Sequence, residues 1–187
     1  MLSEFLNIIF RSIRLDKSLY ADNKNFGDAS IYYAIIIIII MSIVGMVPGS
    51  VLYKHLGNML VSEGGPTLRR IIIMSFAVWM VKTAYLYFVG VIMFPSKLTK
   101  CNFRKLLITV AYAHSPFIFY IFILDISLIY LSFIVYIWYC LTLIVGMKQI
   151  LKYENYLKPT IISLAPQFLL LIYLLSMISK INMGTIS

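Results

Sequence analysis

The residue in this chain best placed to do chemistry is Lys82, a charge about a dozen positions into the apolar stretch Ile71–Phe94. A cation in hydrocarbon costs a few kcal/mol or more, so it is by default a mark of function. The chemistry it offers is electrostatic: a substrate anion or a lipid headgroup would supply the missing counter-charge. The structural alternative is that its long stem snorkels to the interface, or that the ammonium pairs inside a bundle. No carboxylate shares its depth, since Asp125 stands at the end of its own stretch. A water-filled pocket, tyrosine hydroxyls or backbone carbonyls must then take the charge.

His114-Ser115-Pro116 is the second candidate, halfway along Leu106–Leu124. Pro116 has no backbone donor, so it frees a carbonyl near Tyr112 and His114 and can open a polar pocket. His114 could carry a proton or hold a ligand. Its structural alternative is a hydrogen bond to a neighbouring helix. Lys82 and His114 together form the candidate intramembrane polar site. Pro166 and Gln167 suggest a similar local break further on.

Other chemistries fail on residue type and spacing. Two histidines, two cysteines and seven carboxylates offer no ligand set for a metal, and His55 lies too far from His114 to share a haem. Ser115 follows His114 directly, and adjacent helical residues point apart. No glycine-rich phosphate loop is present. No residue is assigned to catalysis, cofactor or metal, and no enzyme is expected. Cys101 in a basic loop and Cys140 in an apolar stretch read as free thiols, one exposed and one packed.

The elements that must position these residues are five apolar stretches: Ile31–Val47, Ile71–Phe94, Leu106–Leu124, Ile126–Met147 and Thr160–Ser179. Each approaches the roughly 20 residues a helix needs to cross a bilayer. Sixty-one per cent of the 187 residues are hydrophobic and 12% charged, more apolar surface than a soluble core of this size can hide. Ile35–Ile40 has strand-like composition, but a lone strand in lipid leaves its backbone unpaired. The expected fold is all-α: a polytopic membrane bundle of five transmembrane helices, with an amphipathic segment before it. Residues 1–30 form the N-terminal segment, 31–180 the membrane domain and 181–187 a short tail. No cleavable leader and no internal repeat are apparent.

Charge sets the expected orientation. With a cytoplasmic N-terminus, inside segments hold eleven of the 16 Lys and Arg residues and outside segments four, Lys82 being the other. That is the positive-inside pattern, and it puts the C-terminus outside. The net +9 then reads as topology and attraction to anionic headgroups, not nucleic-acid binding.

Between the stretches, Met1–Arg14 is amphipathic. Leu2, Phe5, Leu6, Ile9 and Ile13 face one way, with Glu4, Asn7, Arg11 and Arg14 largely opposite. It reads as an interfacial lipid anchor or a docking helix. Asp16–Ser30 reads as a polar loop. Gly64-Gly65-Pro66-Thr67 reads as a turn with Thr67 as N-cap, and Val51–Leu60 as mildly amphipathic. Leu124-Asp125-Ile126-Ser127 reads as a tight hairpin. Tyr20, Tyr32, Tyr33, Tyr153 and Tyr156 sit where an aromatic belt is expected. Tyr130, Tyr136, Trp138 and Tyr139 read as packing.

Two segments carry a resemblance. One is Asn102-Phe103-Arg104-Lys105-Leu106-Leu107 with Ala111-Tyr112-Ala113-His114-Ser115-Pro116. The other is Ile137-Trp138-Tyr139-Cys140, Val145-Gly146-Met147-Lys148-Gln149 and Tyr156-Leu157-Lys158-Pro159. Together they resemble the Yip family of Rab-interacting membrane proteins, in its short bacterial form. The long soluble N-terminal region of eukaryotic members is missing. The resemblance implies a five-span protein of a bacterial inner membrane, with a membrane-organising or trafficking-type role and no chemistry of its own. It marks Tyr112, Pro116, Trp138 and Gly146 as positions that shape the bundle. Expected partners are membrane lipids and membrane proteins or further copies of the chain. An accessory subunit of a larger membrane complex, an energy-converting one included, is the next expectation, and a small transporter or channel the third.

Overall fold

A computed structural model describes residues 2–46, 68–96, 98–99, 101–123 and 125–168. Its secondary structure among these residues is entirely helical. Helix α1 is Leu2–Ile13, α2 is Lys17–Ala21 and α3 is Asp28–Val44. Helix α4 is Leu68–Tyr87, continued by a π turn over Phe88–Met93. Helix α5 is Phe103–Ala113, continued as a 3-10 helix over Ser115–Phe122. Helix α6 is Leu131–Leu151, and α7 covers 157–168.

Three of these are long and apolar enough to cross a membrane: Leu68–Met93, Phe103–Phe122 and Leu131–Leu151. Asp28–Val44 is apolar but shorter, at 17 residues. The fifth expected stretch is described only as far as residue 168, where the backbone remains helical through Pro166 and Gln167 instead of breaking. His55, Val51–Leu60 and Thr67 lie outside the described residues.

The outer faces of the long helices are what lipid requires. Val81 on α4 is 69% exposed and Phe133 on α6 is 68% exposed, among many other large apolar side chains. A water-soluble monomer does not present such continuous apolar faces. Helix α5 is the centre, with Leu106 and every side chain from Ile108 to Ala113 buried. Helices α1, α3, α4 and α6 pack around it.

The N-terminal region departs from expectation. Helix α1 turns Ile8, Ile9 and Ser12 into the protein, while Leu6 and Phe10 are exposed. Its inward stripe is therefore rotated from the predicted one, and it packs on the bundle instead of only on lipid. Tyr33 donates to Glu4 at 2.8 Å, and Trp138 Nε1 donates to the Ile13 carbonyl at 2.9 Å. The expected loop Asp16–Ser30 contains α2. Asp16 caps it by accepting from the Ser18 N–H at 2.8 Å, and Leu19 and Tyr20 are buried.

Of the tyrosines expected in an aromatic belt, Tyr32 and Tyr156 are exposed, whereas Tyr20, Tyr33 and Tyr153 are core residues. Asp125 is exposed and caps its hairpin, accepting from the Ser127 N–H at 2.9 Å. Cys140 is buried as expected. Cys101, expected to be exposed, is half-buried, and burial pushes its thiol up to about 11.

Candidate functional site

Helix α4 presents Trp79, Thr83 and Leu86 as its buried stripe. Lys82 lies three residues beyond Trp79 and four before Leu86, so helical spacing aims it inward. About 18 Å of helical rise separates it from Arg70, and it does not snorkel to that end. The Tyr139 hydroxyl on α6 accepts a hydrogen bond from Lys82 Nζ. The ammonium is 4.5 Å from the Tyr139 ring centroid, but the hydroxyl oxygen is its contact, not the π face. An ammonium has three donors. Among the described residues, Tyr139 is the one hydrogen-bond partner of Lys82. A tyrosine hydroxyl was one of the groups the sequence allowed. Tyr139 itself had been read only as packing.

His114 stands where α5 tightens into the 3-10 segment. Its Nδ1 lies 2.6 Å from the Val110 carbonyl. A carbonyl only accepts, so Nδ1 carries the hydrogen and Nε2 is the acceptor of the neutral ring. The ring packs against Tyr139 at 4.8 Å and Phe117 at 5.5 Å between centroids. Phe117 stacks in turn on Tyr120 at 5.1 Å. Lys82 and His114, apart in sequence, thus meet around Tyr139. His114 makes its polar bond within its own helix, not to a neighbouring one.

Lys82, His114, Phe117 and Tyr120 of this group form the floor of a cleft of about 560 Å³ between α3 and α4, whereas Tyr139 is buried and is not among its lining residues. Ile38, Met41 and Met74 are among its apolar walls, and Arg70 lies at the other end. Among the described residues, its lining holds the two cations Lys82 and Arg70 and no carboxylate. A larger groove of about 740 Å³ between α6 and α7 is lined by neutral side chains. Among the described residues, no group of histidine, cysteine and carboxylate side chains could hold a metal ion.

Each expected bundle-shaping residue has a physical task. Proline at 116 cannot donate to the carbonyl four residues back, which is that of Tyr112. That carbonyl accepts instead from Ser115 Oγ at 2.7 Å and from Ser12 Oγ of α1 at 2.6 Å. Ser12 has spent its one hydrogen there, so the Tyr20 hydroxyl, 2.9 Å away, must be donor to Ser12. Trp138 stacks on Phe119 at 5.4 Å while holding α1 through Ile13. Gly146 lets α2 and α5 approach α6: a Cβ there would stand 2.7 Å from Thr109 Cγ2 and 3.3 Å from Tyr20 Cε1.

Sequence reasoning passed over several residues that fix the site. Trp79 Nε1 donates to the Leu107 carbonyl at 3.1 Å and ties α4 to α5. Tyr153 lies with its hydroxyl 3.0 Å from the Gly90 carbonyl and 2.8 Å from that of Phe94, in the π turn below Lys82. Gly90 was the available signal, being a glycine in an otherwise bulky apolar run. Compared with protein-family models, curated proteins and solved structures, the chain matches none.

Proposed function

We propose that this chain is a non-enzymatic integral membrane protein that acts through lipids or membrane partners, in the membrane-organising manner its Yip-like segments suggest. One observation carries this reading. Lys82 and His114 meet in a cleft with apolar walls, beside helices whose outer faces suit lipid. That arrangement can hold a molecule. Five spans, a cytoplasmic N-terminus, an outside C-terminus and a bacterial inner membrane belong to the same proposal. They rest on the apolar stretches, the charge distribution and the resemblance.

The test is gentle solubilisation from the native membrane, followed by native mass spectrometry. The expected species is the chain alone or as a homo-oligomer, carrying lipid or a substoichiometric membrane partner. A fixed complex with unrelated subunits would overturn the reading and make the chain an accessory subunit. A single cysteine placed at either end, probed with a membrane-impermeant thiol reagent, tests the orientation. Reaction of the N-terminal position from outside would overturn that part.

A further inference from the structure

We propose that the Lys82 cleft is a binding site for a single-chain anionic amphiphile, its oxyanion on Lys82 and its chain along the apolar walls. This deepens the lipid-facing reading above and depends on it.

Charge points to an anion. Among the described residues, Lys82 and Arg70 line the cleft and no carboxylate does. Lys82 gives one hydrogen to Tyr139, and two of its three donors have no acceptor among the described residues. An uncompensated cation in a low-dielectric place is costly, and an oxyanion with matching hydrogen bonds offsets that cost. Tyr139, buried outside the lining, holds the ammonium through that one bond. The two remaining ammonium donors suit a carboxylate or phosphate headgroup.

The walls point to a chain. Ile38, Met41, Met74 and Val78 are apolar, and methionine adapts to irregular apolar shapes. Met74 and Val78 are also exposed on the lipid-facing side of α4, so the cleft runs into the surface from which a membrane amphiphile would come. A small hydrophilic anion would gain nothing from those walls. At roughly 30 Å³ for a water-sized group, 560 Å³ holds about nineteen such groups. That is about the size of one acyl chain with its headgroup.

The chain carries its own reporter. Of its two tryptophans, Trp79 lines the cleft and Trp138 stacks on Phe119. The full chain in uncharged detergent would be titrated with stearate brominated at mid-chain, and Trp79→Phe would give the Trp138 background. Saturable quenching is expected at one molecule per chain. The equivalent brominated alcohol should need at least ten times the concentration, and unbrominated stearate should compete. Lys82→Gln should abolish the preference for acid over alcohol, and Lys82→Arg should keep most of it.

Equal quenching by acid and alcohol would overturn the proposal, as would a preference that survives Lys82→Gln. Displacement by acetate or inorganic phosphate at comparable concentration would mark a soluble-anion site and also overturn it. Circular dichroism of Lys82→Gln separates loss of binding from loss of fold. Were the variant unfolded, the acid-to-alcohol comparison on the unaltered chain would still decide. A chain that binds neither probe yet extracts with lipid refutes the cleft and leaves the broader reading standing.

Discussion

The relay from Tyr20 through Ser12 to the Tyr112 carbonyl should show a coupling that neither residue shows alone. Tyr20 is 2% exposed and Ser12 fully buried, so water cannot replace a lost partner. Ser12→Ala leaves the Tyr20 hydroxyl buried without its acceptor, while the Tyr112 carbonyl keeps Ser115. An orphaned buried polar group costs about 1–3 kcal/mol, and a net hydrogen bond about 1 kcal/mol. Ser12→Ala should therefore destabilise the chain by about 2 kcal/mol. Tyr20→Phe removes the group that would be orphaned and should cost about 1 kcal/mol. In the Tyr20→Phe background, Ser12→Ala loses only its bond to the carbonyl, again about 1 kcal/mol. The double variant should then fall about 1 kcal/mol short of the sum of the single ones, a fivefold difference in the unfolding constant. Reversible unfolding in mixed micelles, followed by circular dichroism, measures all four corners of the cycle. Additive effects would refute the relay, and with it the account of how Pro116 recruits α1.

Four further outcomes follow from other contacts. Tyr139→Phe, which strips Lys82 of its acceptor, should destabilise by about 1–3 kcal/mol, whereas Lys82→Met, which removes the charge as well, should be near neutral; the same unfolding assay ranks them. Gly146→Ala should cost about 1–3 kcal/mol, because the new methyl meets Thr109 and Tyr20 together, while Gly90→Ala should cost less because it meets the flexible end of Leu151 at 2.8 Å. Asp16 is lowered to about 2 from 3.8, first by its hydrogen bond with Arg11 and then by Ser18. Its contribution is complete above about 3.8 and lost as pH falls through about 2, so Asp16→Asn should flatten that acid limb of stability, and the Asp16 carboxyl resonance should titrate near 2. Burial holds the Cys101 thiol up at about 11, so its alkylation near pH 7 should be much slower than that of a free thiol and accelerate as pH rises toward that value.

The sequence by itself determined the class of protein. Mean hydropathy of +0.93 and apolar runs of bilayer length leave the helix as the only backbone that satisfies its own hydrogen bonds in lipid. It also marked Lys82, since a charge in such a run is conspicuous whatever the fold, and it located the freed carbonyl, since proline chemistry is local. Tertiary structure alone decided what those groups meet. Lys82 and Tyr139 are 57 residues apart, and Ser12 and the Tyr112 carbonyl are 100 apart. Helical periodicity says which way a side chain points on its own helix, not which neighbour stands there. It also could not tell a lipid-facing amphipathic stripe from a protein-facing one, because both are apolar. So the sequence of α1 suits a lipid anchor or a docking helix alike, whereas in the structure its Ser12 and Ile13 bond to α5 and α6.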